Sequence, residues 1–209
     1  MKEHPILFSG PMVNAILGGR KTMTRRVVKR LPCDCDGNWF PEEFPATTTE
    51  GWQTIGHSGE WWCSCCSSDS IKCPYGKPGD RLWVRETWGL WDTQPSDGPE
   101  RAQVFYRATD GEKHHLRHQL WRPSIFMPRW ASRITLEIIC IRVERLHEID
   151  GPDSKKEGVD LPTTELFPLT NRNFKLRVQF EKLWDSINGK KYPWKSNPWV
   201  WVIEFRRVL

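Results

Sequence analysis

The 209-residue chain lacks any apolar run near the roughly 20 residues that span a bilayer, which predicts a protein working without a membrane. Before Ile6-Leu7-Phe8 it carries Lys2, Glu3 and His4, and that apolar patch is too short for a signal-peptide core, so the expected location is the cytoplasm. A large excess of one charge is also missing. Lys and Arg number 31 against 26 Asp and Glu, giving +5 and a pI near 8.9, less basic than a non-specific duplex binder. A protein holding one nucleotide, or a short single strand, needs no more than this. Tyrosine is scarce, with 3 residues against 13 Trp, and indoles serve both as core and as stacking plates for bases. There is no strand–helix–strand rhythm to suggest a parallel sheet. A hydrophobic share of 38% excludes a disordered chain, and the length suits one domain carrying an insertion.

Seven cysteines form an odd count without a secretory signal, which argues against a disulfide framework. Six cluster as Cys33 and Cys35, then Cys63, Cys65, Cys66 and Cys73. Two readings fit them: a structural zinc closed by four thiolates, or a Cys-rich loop without metal. In the zinc reading Cys33 and Cys35 supply one half of the site and two of the other four complete it. His57 is a lesser alternative ligand. Cys140 lies in an apolar run and is expected to act as a small buried hydrophobe.

Regular structure is expected on both sides of residues 32–73, a Gly, Ser, Thr, Cys and Trp stretch without sustained period that reads as an insertion. Ser9-Gly10-Pro11 opens a short helix ended by Gly18-Gly19. Strands are expected at 81–86 and 104–107. Residues 134–146 form a long strand whose apolar parity switches near Ile138-Ile139, the mark of a bulge. A short helix begins at Asp150-Gly151-Pro152 and stops at Glu157-Gly158. Leu176, Phe180, Leu183, Trp184 and Ile187 make the stripe of an amphipathic helix ended by Asn188-Gly189. Trp199–Phe205 is apolar on both faces and is expected to be central in its sheet. Many strands and few helices suggest a mainly β, α+β protein: a small β-barrel with peripheral helices.

The segment Gly19-Arg20-Lys21-Thr22-Met23-Thr24-Arg25-Arg26 follows a helix end. One reading has its cations offset the helix dipole in solvent. The other is chemical: a desolvated Lys21 amine beside other cations loses its proton readily and can take one from the Thr24 hydroxyl. A carboxylic acid opposite would then protonate a leaving amine.

Gly19-x-Lys21-x-x-x-x-Arg26 resembles the GxKxxxxR signature of the ASCH domain, a PUA-like β-barrel family linked to RNA. The likeness continues through Cys73–Glu86 (CPYGKPGDRLWVRE), Met127–Leu136 (MPRWASRITL) and Asn197–Phe205 (NPWVWVIEF), and is nearest to ASCH proteins carried by phages and prophages. It spans roughly residues 5–30 and 73–209 and leaves the insertion outside a single domain covering 1–209. Some small family members are N4-acetylcytidine amidohydrolases with a Lys, Thr and Glu set. The resemblance therefore implies Lys21 as base, Thr24 as nucleophile and Glu157 as acid. Arg26 would hold the site together or meet a phosphate or carbonyl oxygen, with Arg20 beside it, and no organic cofactor is implied. This chain departs from those enzymes in being about twice as long, and in the Gly151-Pro152-Asp153 lead-in to Glu157. Glu86 is a second carboxylate, read first as a surface strand end. Two other functions stay open. A reader of RNA or of a modified base would stack it on Trp88 or Trp130 beside Arg129 and Arg133, and a ribonuclease would use the basic site on a phosphate. His114, His115 and His118 read as solvated surface, and His147 as a border of the pocket.

Overall fold

The computed structural model describes residues 1–29, 60–62, 70–90, 104–111, 121–161 and 169–208. Among these residues nine strands and four α-helices run in the order β1 (Glu3–Leu7), α1 (Gly10–Leu17), β2 (Met23–Val27), β3 (Glu60–Trp62), β4 (Ser70–Lys72), β5 (Arg81–Arg85), β6 (Trp88–Leu90), β7 (Val104–Tyr106), α2 (Arg107–Asp110), β8 (Thr135–Arg145), α3 (Gly151–Lys156), α4 (Leu169–Asn188) and β9 (Trp199–Val208). No helix among the described residues is long and apolar enough to cross a membrane.

Five strands form one sheet in the order β1-β5-β8-β9-β2, with β1 and β5 parallel and the other neighbours antiparallel. This corrects the expected closed barrel: among the described residues the sheet is open, with β1 and β2 as its edges. The connection between those edges is a helix. α1 buries Val13 and Ile16 with Ile6 of β1 and Trp201 and Phe205 of β9, so side-chain packing takes the place of a closing ladder. The edges still communicate, because the Arg26 guanidinium donates to the Leu7 carbonyl at 2.5 Å. β6 and β7 form a separate two-stranded ladder. So do β3 and β4, inside a stretch where the sequence showed no strand period.

β9 sits between β8 and β2 and is apolar on both faces, as expected of a central strand. Trp201, Ile203 and Phe205 enter the cluster with α1, whereas Val200 and Val202 enter a second cluster with Met23, Leu176, Phe180 and Trp184. Each large side chain buried this way contributes about 1.5–3 kcal/mol. The parity switch in β8 is a bulge: Ile138 pairs with Phe205 and Cys140 with Glu204. Ile139 is the extra residue and is 53% exposed, so it turns outward instead of joining Ile141 and Val143 in the core. Cys140 is only half-buried.

Candidate active site

Strand alternation sorts the basic segment of β2 onto two faces. Met23 and Val27 join the cluster beneath α4, and Arg25 shares their side. Thr24 and Arg26 face the other way, where the Arg26 guanidinium lies 5.2 Å from the Phe8 ring centroid. Lys21, just before β2, is 2% exposed, with its ammonium 5.7 Å from the same ring.

α3 delivers the acid. Its cap Asp150 accepts from the Asp153 amide at 2.7 Å, and Pro152 falls in the first turn. Gly151 permits a close approach to α4, since a Cβ there would stand 2.6 Å from the Asn173 Cα. Glu157 caps the far end, and Gly158 turns the chain away at φ +88°. An isolated bridge joins Lys21 to Glu157, and the Thr22 amide donates to the Lys156 carbonyl at 2.9 Å. The departure at Gly151-Pro152-Asp153 therefore belongs to the site.

The Lys21 ammonium donates to Glu157 Oε2 at 2.7 Å and to the Glu157 backbone carbonyl at 2.8 Å. Burial pulls the Lys21 pKa below its ordinary value; the Glu157 charge and hydrogen bond oppose this, and Arg26 and Arg25 reinforce it. Arg25 approaches Glu157 Oε1 at 3.4 Å and is anchored by Asp153 at 2.6 Å and Glu144 at 3.1 Å. Arg142 completes the network, bonding Asp153 at 2.8 Å and Glu204 at 2.6 Å and also meeting Glu144.

A cavity of about 290 Å³ opens beside this network. That is near the lower end of small-molecule sites, roughly 300–1,000 Å³, and suits one small ligand. Thr24, Arg25, Arg26, Tyr75 and Glu157 supply its polar wall, and Leu183, Trp184 and Ile187 of α4 its apolar wall. Thr24 is 3% exposed; its backbone is in the ladder with Ile203, and its hydroxyl makes no hydrogen bond to another described residue. Lys21 stands behind Glu157, outside the lining.

The structure thus brings Lys21, Thr24, Glu157 and Arg26 to one place, and leaves the other named residues elsewhere. Arg20 is exposed, 3.6 Å from Asp160. Trp88 is 2% exposed and packs edge-on to Trp130 in a small cluster with Met127 and Ala131, so it offers no stacking face. Trp130 is exposed, but Arg129 beside it is held by Glu3 at 2.7 and 3.1 Å. Glu86 is buried, not a surface strand end. Arg133 holds both its oxygens at 2.9 and 3.0 Å, and burial raises its pKa against that partner's pull. His147 bonds the Trp194 carbonyl at 2.9 Å and does not line the cavity.

Cys33, Cys35, Cys63, Cys65 and Cys66 lie outside the described residues, as do His57, His114, His115 and His118. Cys73 is buried in the main apolar cluster, where desolvation pushes its thiol up to about 12. Among the described residues no group of three His, Cys, Asp or Glu side chains is placed to hold a metal.

Sequence reasoning missed Arg25, Arg142 and Tyr75. Arg25 was legible only as one cation in a basic run, since its carboxylate partners come from β8 and α3. Arg142 gave no signal inside an apolar strand. Tyr75 lay inside the Cys73–Glu86 motif with nothing in the sequence to single it out. No family model matches the chain, and neither the curated proteins nor the solved structures yielded a match.

Proposed function

We propose that the chain is an ASCH-type, PUA-like hydrolase that removes an acyl group from the exocyclic amine of a cytosine base, in a nucleoside or RNA. One observation carries the reading: the buried Lys21–Glu157 contact at 2.7 Å adjoins a cavity whose wall includes both the Glu157 carboxylate and the unengaged Thr24 hydroxyl. Desolvation favours the neutral amine, the form that can act as a base. A proton held between Lys21 and Glu157 puts a free amine and a carboxylic acid side by side.

In the reaction the Thr24 proton passes to Lys21 as Oγ1 adds to the acyl carbon. The C–N bond then breaks, and Glu157 gives its proton to the departing amine. Water next attacks the acyl–Thr24 ester, losing its proton to Glu157, while Lys21 returns one to Thr24 Oγ1. A carboxylic acid leaves and both groups are restored. Arg25, fixed by Asp153 and Glu144, keeps the carboxyl group of Glu157 aimed at Lys21.

A structural zinc in the insertion remains part of this proposal, and it would fasten that segment without entering the reaction. Cys73, set among apolar groups that favour the thiol, fits the ligand set poorly, which leaves Cys33, Cys35, Cys63, Cys65 and Cys66.

The test is incubation of the purified full chain with N4-acetylcytidine, followed by chromatography for cytidine and acetate. Turnover lost in Thr24→Ala and in Lys21→Met is the expected result. Binding of the intact compound without turnover overturns the hydrolase and favours a base-reading module.

A further inference from the structure

The two adjacent arginines of β2 differ in how their charge is met. Lys21, Arg25, Arg142 and Lys156 stand within ion-pair distance of Glu144, Asp153, Glu157 and Glu204. Four cations meet four carboxylates, so that network needs no outside anion. Arg26 shares in none of these pairs. Its described partners are the Leu7 carbonyl and the Phe8 ring, with no carboxylate among them; its Nε is buried with no hydrogen-bond acceptor, as is that of Arg25. Burial drives the Arg26 pKa down, and the groups that oppose this are Tyr75 and the already paired Glu157. A desolvated guanidinium without a carboxylate is costly to maintain, and a ligand anion is the group that would offset it.

That guanidinium belongs to the cavity wall. Tyr75, whose hydroxyl can donate to an anionic oxygen, lines the same wall, and Lys29 stands exposed at its margin with no ion-pair partner among the described residues. A neutral nucleoside would leave Arg26 uncompensated, whereas a phosphate brings charge and several acceptor oxygens.

We infer that Arg26, with Tyr75 and Lys29, forms a phosphate subsite in this cavity, so the site takes a cytosine nucleotide in preference to the free nucleoside. This rests on the reading of the cavity as the substrate site. The phosphate could be the terminal group of a mononucleotide or a phosphodiester of an RNA strand; the recognition chemistry is the same.

Calorimetric titration of the full chain with cytidine 5′-monophosphate and with cytidine tests it. The monophosphate is expected to bind at least about tenfold more tightly, with an advantage that shrinks as salt is raised. Arg26→Gln should reduce its affinity to that of cytidine while leaving cytidine within about threefold, and Lys29→Ala should give a smaller loss in the same direction. Arg26→Lys, which keeps the charge, should retain a preference. The native comparison needs no variant, so it stands even where Arg26→Gln fails to fold. A cytidine trinucleotide binding as tightly as the monophosphate assigns the phosphate to a strand, and weaker binding assigns it to a mononucleotide; either supports the subsite. Equal affinity for the two ligands, no binding of the monophosphate, or equal loss of both in Arg26→Gln overturns it. A chain that prefers the monophosphate yet leaves N4-acetylcytidine and its monophosphate intact loses the hydrolase reading and keeps the subsite.

Discussion

Lys21 donates to both the carboxylate and the backbone carbonyl of Glu157, at 2.7 and 2.8 Å, so one ammonium fixes the end of α3 and the acid together. With a Lys21 side chain fully enclosed and Glu157 nearly so, each charge depends on the other. Lys21→Met leaves Glu157 with the 3.4 Å contact to Arg25 alone. Removing one partner of such a pair is expected to destabilise by about 3–5 kcal/mol. The double variant Lys21→Met/Glu157→Leu should be less destabilised than the two single losses added together. Urea unfolding of the four proteins measures this, and simple additivity would refute the coupling.

The pH dependence follows from the same residue. Burial lowers the folded pKa of Lys21 below its ordinary 10.5, so between those two values the folded chain binds fewer protons than the unfolded one. Stability relative to Lys21→Met should therefore rise with pH across that window. If the amine is the base, kcat/KM for deacylation rises over the same range. A native-minus-variant difference in unfolding free energy that falls with increasing pH would contradict the lowered pKa.

Gly158 links the acid to the amine through backbone geometry. At φ +88° a side chain is strained, and a Cβ would stand 3.0 Å from Ala15 Cβ and 3.1 Å from Lys21 Cβ. Gly158→Ala is expected to cost about 1–3 kcal/mol. It should also lower kcat more than it raises KM, because it displaces Lys21 and not the cavity lining. Thermal melts with steady-state kinetics separate the two effects, and an unchanged kcat would count against it.

Cys73 should resist alkylation. Its thiol is raised from 9.0 to about 12, three pH units, so the thiolate fraction near pH 8 is about a thousandfold below that of an ordinary cysteine. Brief iodoacetamide treatment with peptide mapping should find Cys73 unmodified in the native chain and modified in urea. Equal labelling in both states would show that the thiol is not enclosed.

What the sequence made legible was local. The β8 bulge showed as a parity break, α3 as a capped Asp150–Glu157 segment, and α4 as a stripe through Leu176, Phe180 and Trp184, because each signal lies within a few residues. Sheet closure did not, since β1 and β2 meet through α1 and one Arg26–Leu7 bond, and no period encodes that. Lys21 and Glu157 came together through the family resemblance, across 136 residues of separation. Arg25 could not be told from Arg26 in the run of cations. Only alternation along β2, plus carboxylates from two distant elements, separates a guanidinium paired with carboxylates from one that has none. Trp88 and Glu86 were misread for a related reason: an indole and a carboxylate each have buried and exposed uses, and their neighbours decide between them.

The strand carrying Thr24 and both arginines has β9 as its only ladder partner among the described residues. During synthesis, residues 23–27 must wait for residues 199–208 to leave the ribosome before they can settle. Until then Thr24, Arg25 and Arg26 lack the strand that orders them, and a ribosome that stalls before the last strand releases a chain without this cavity wall.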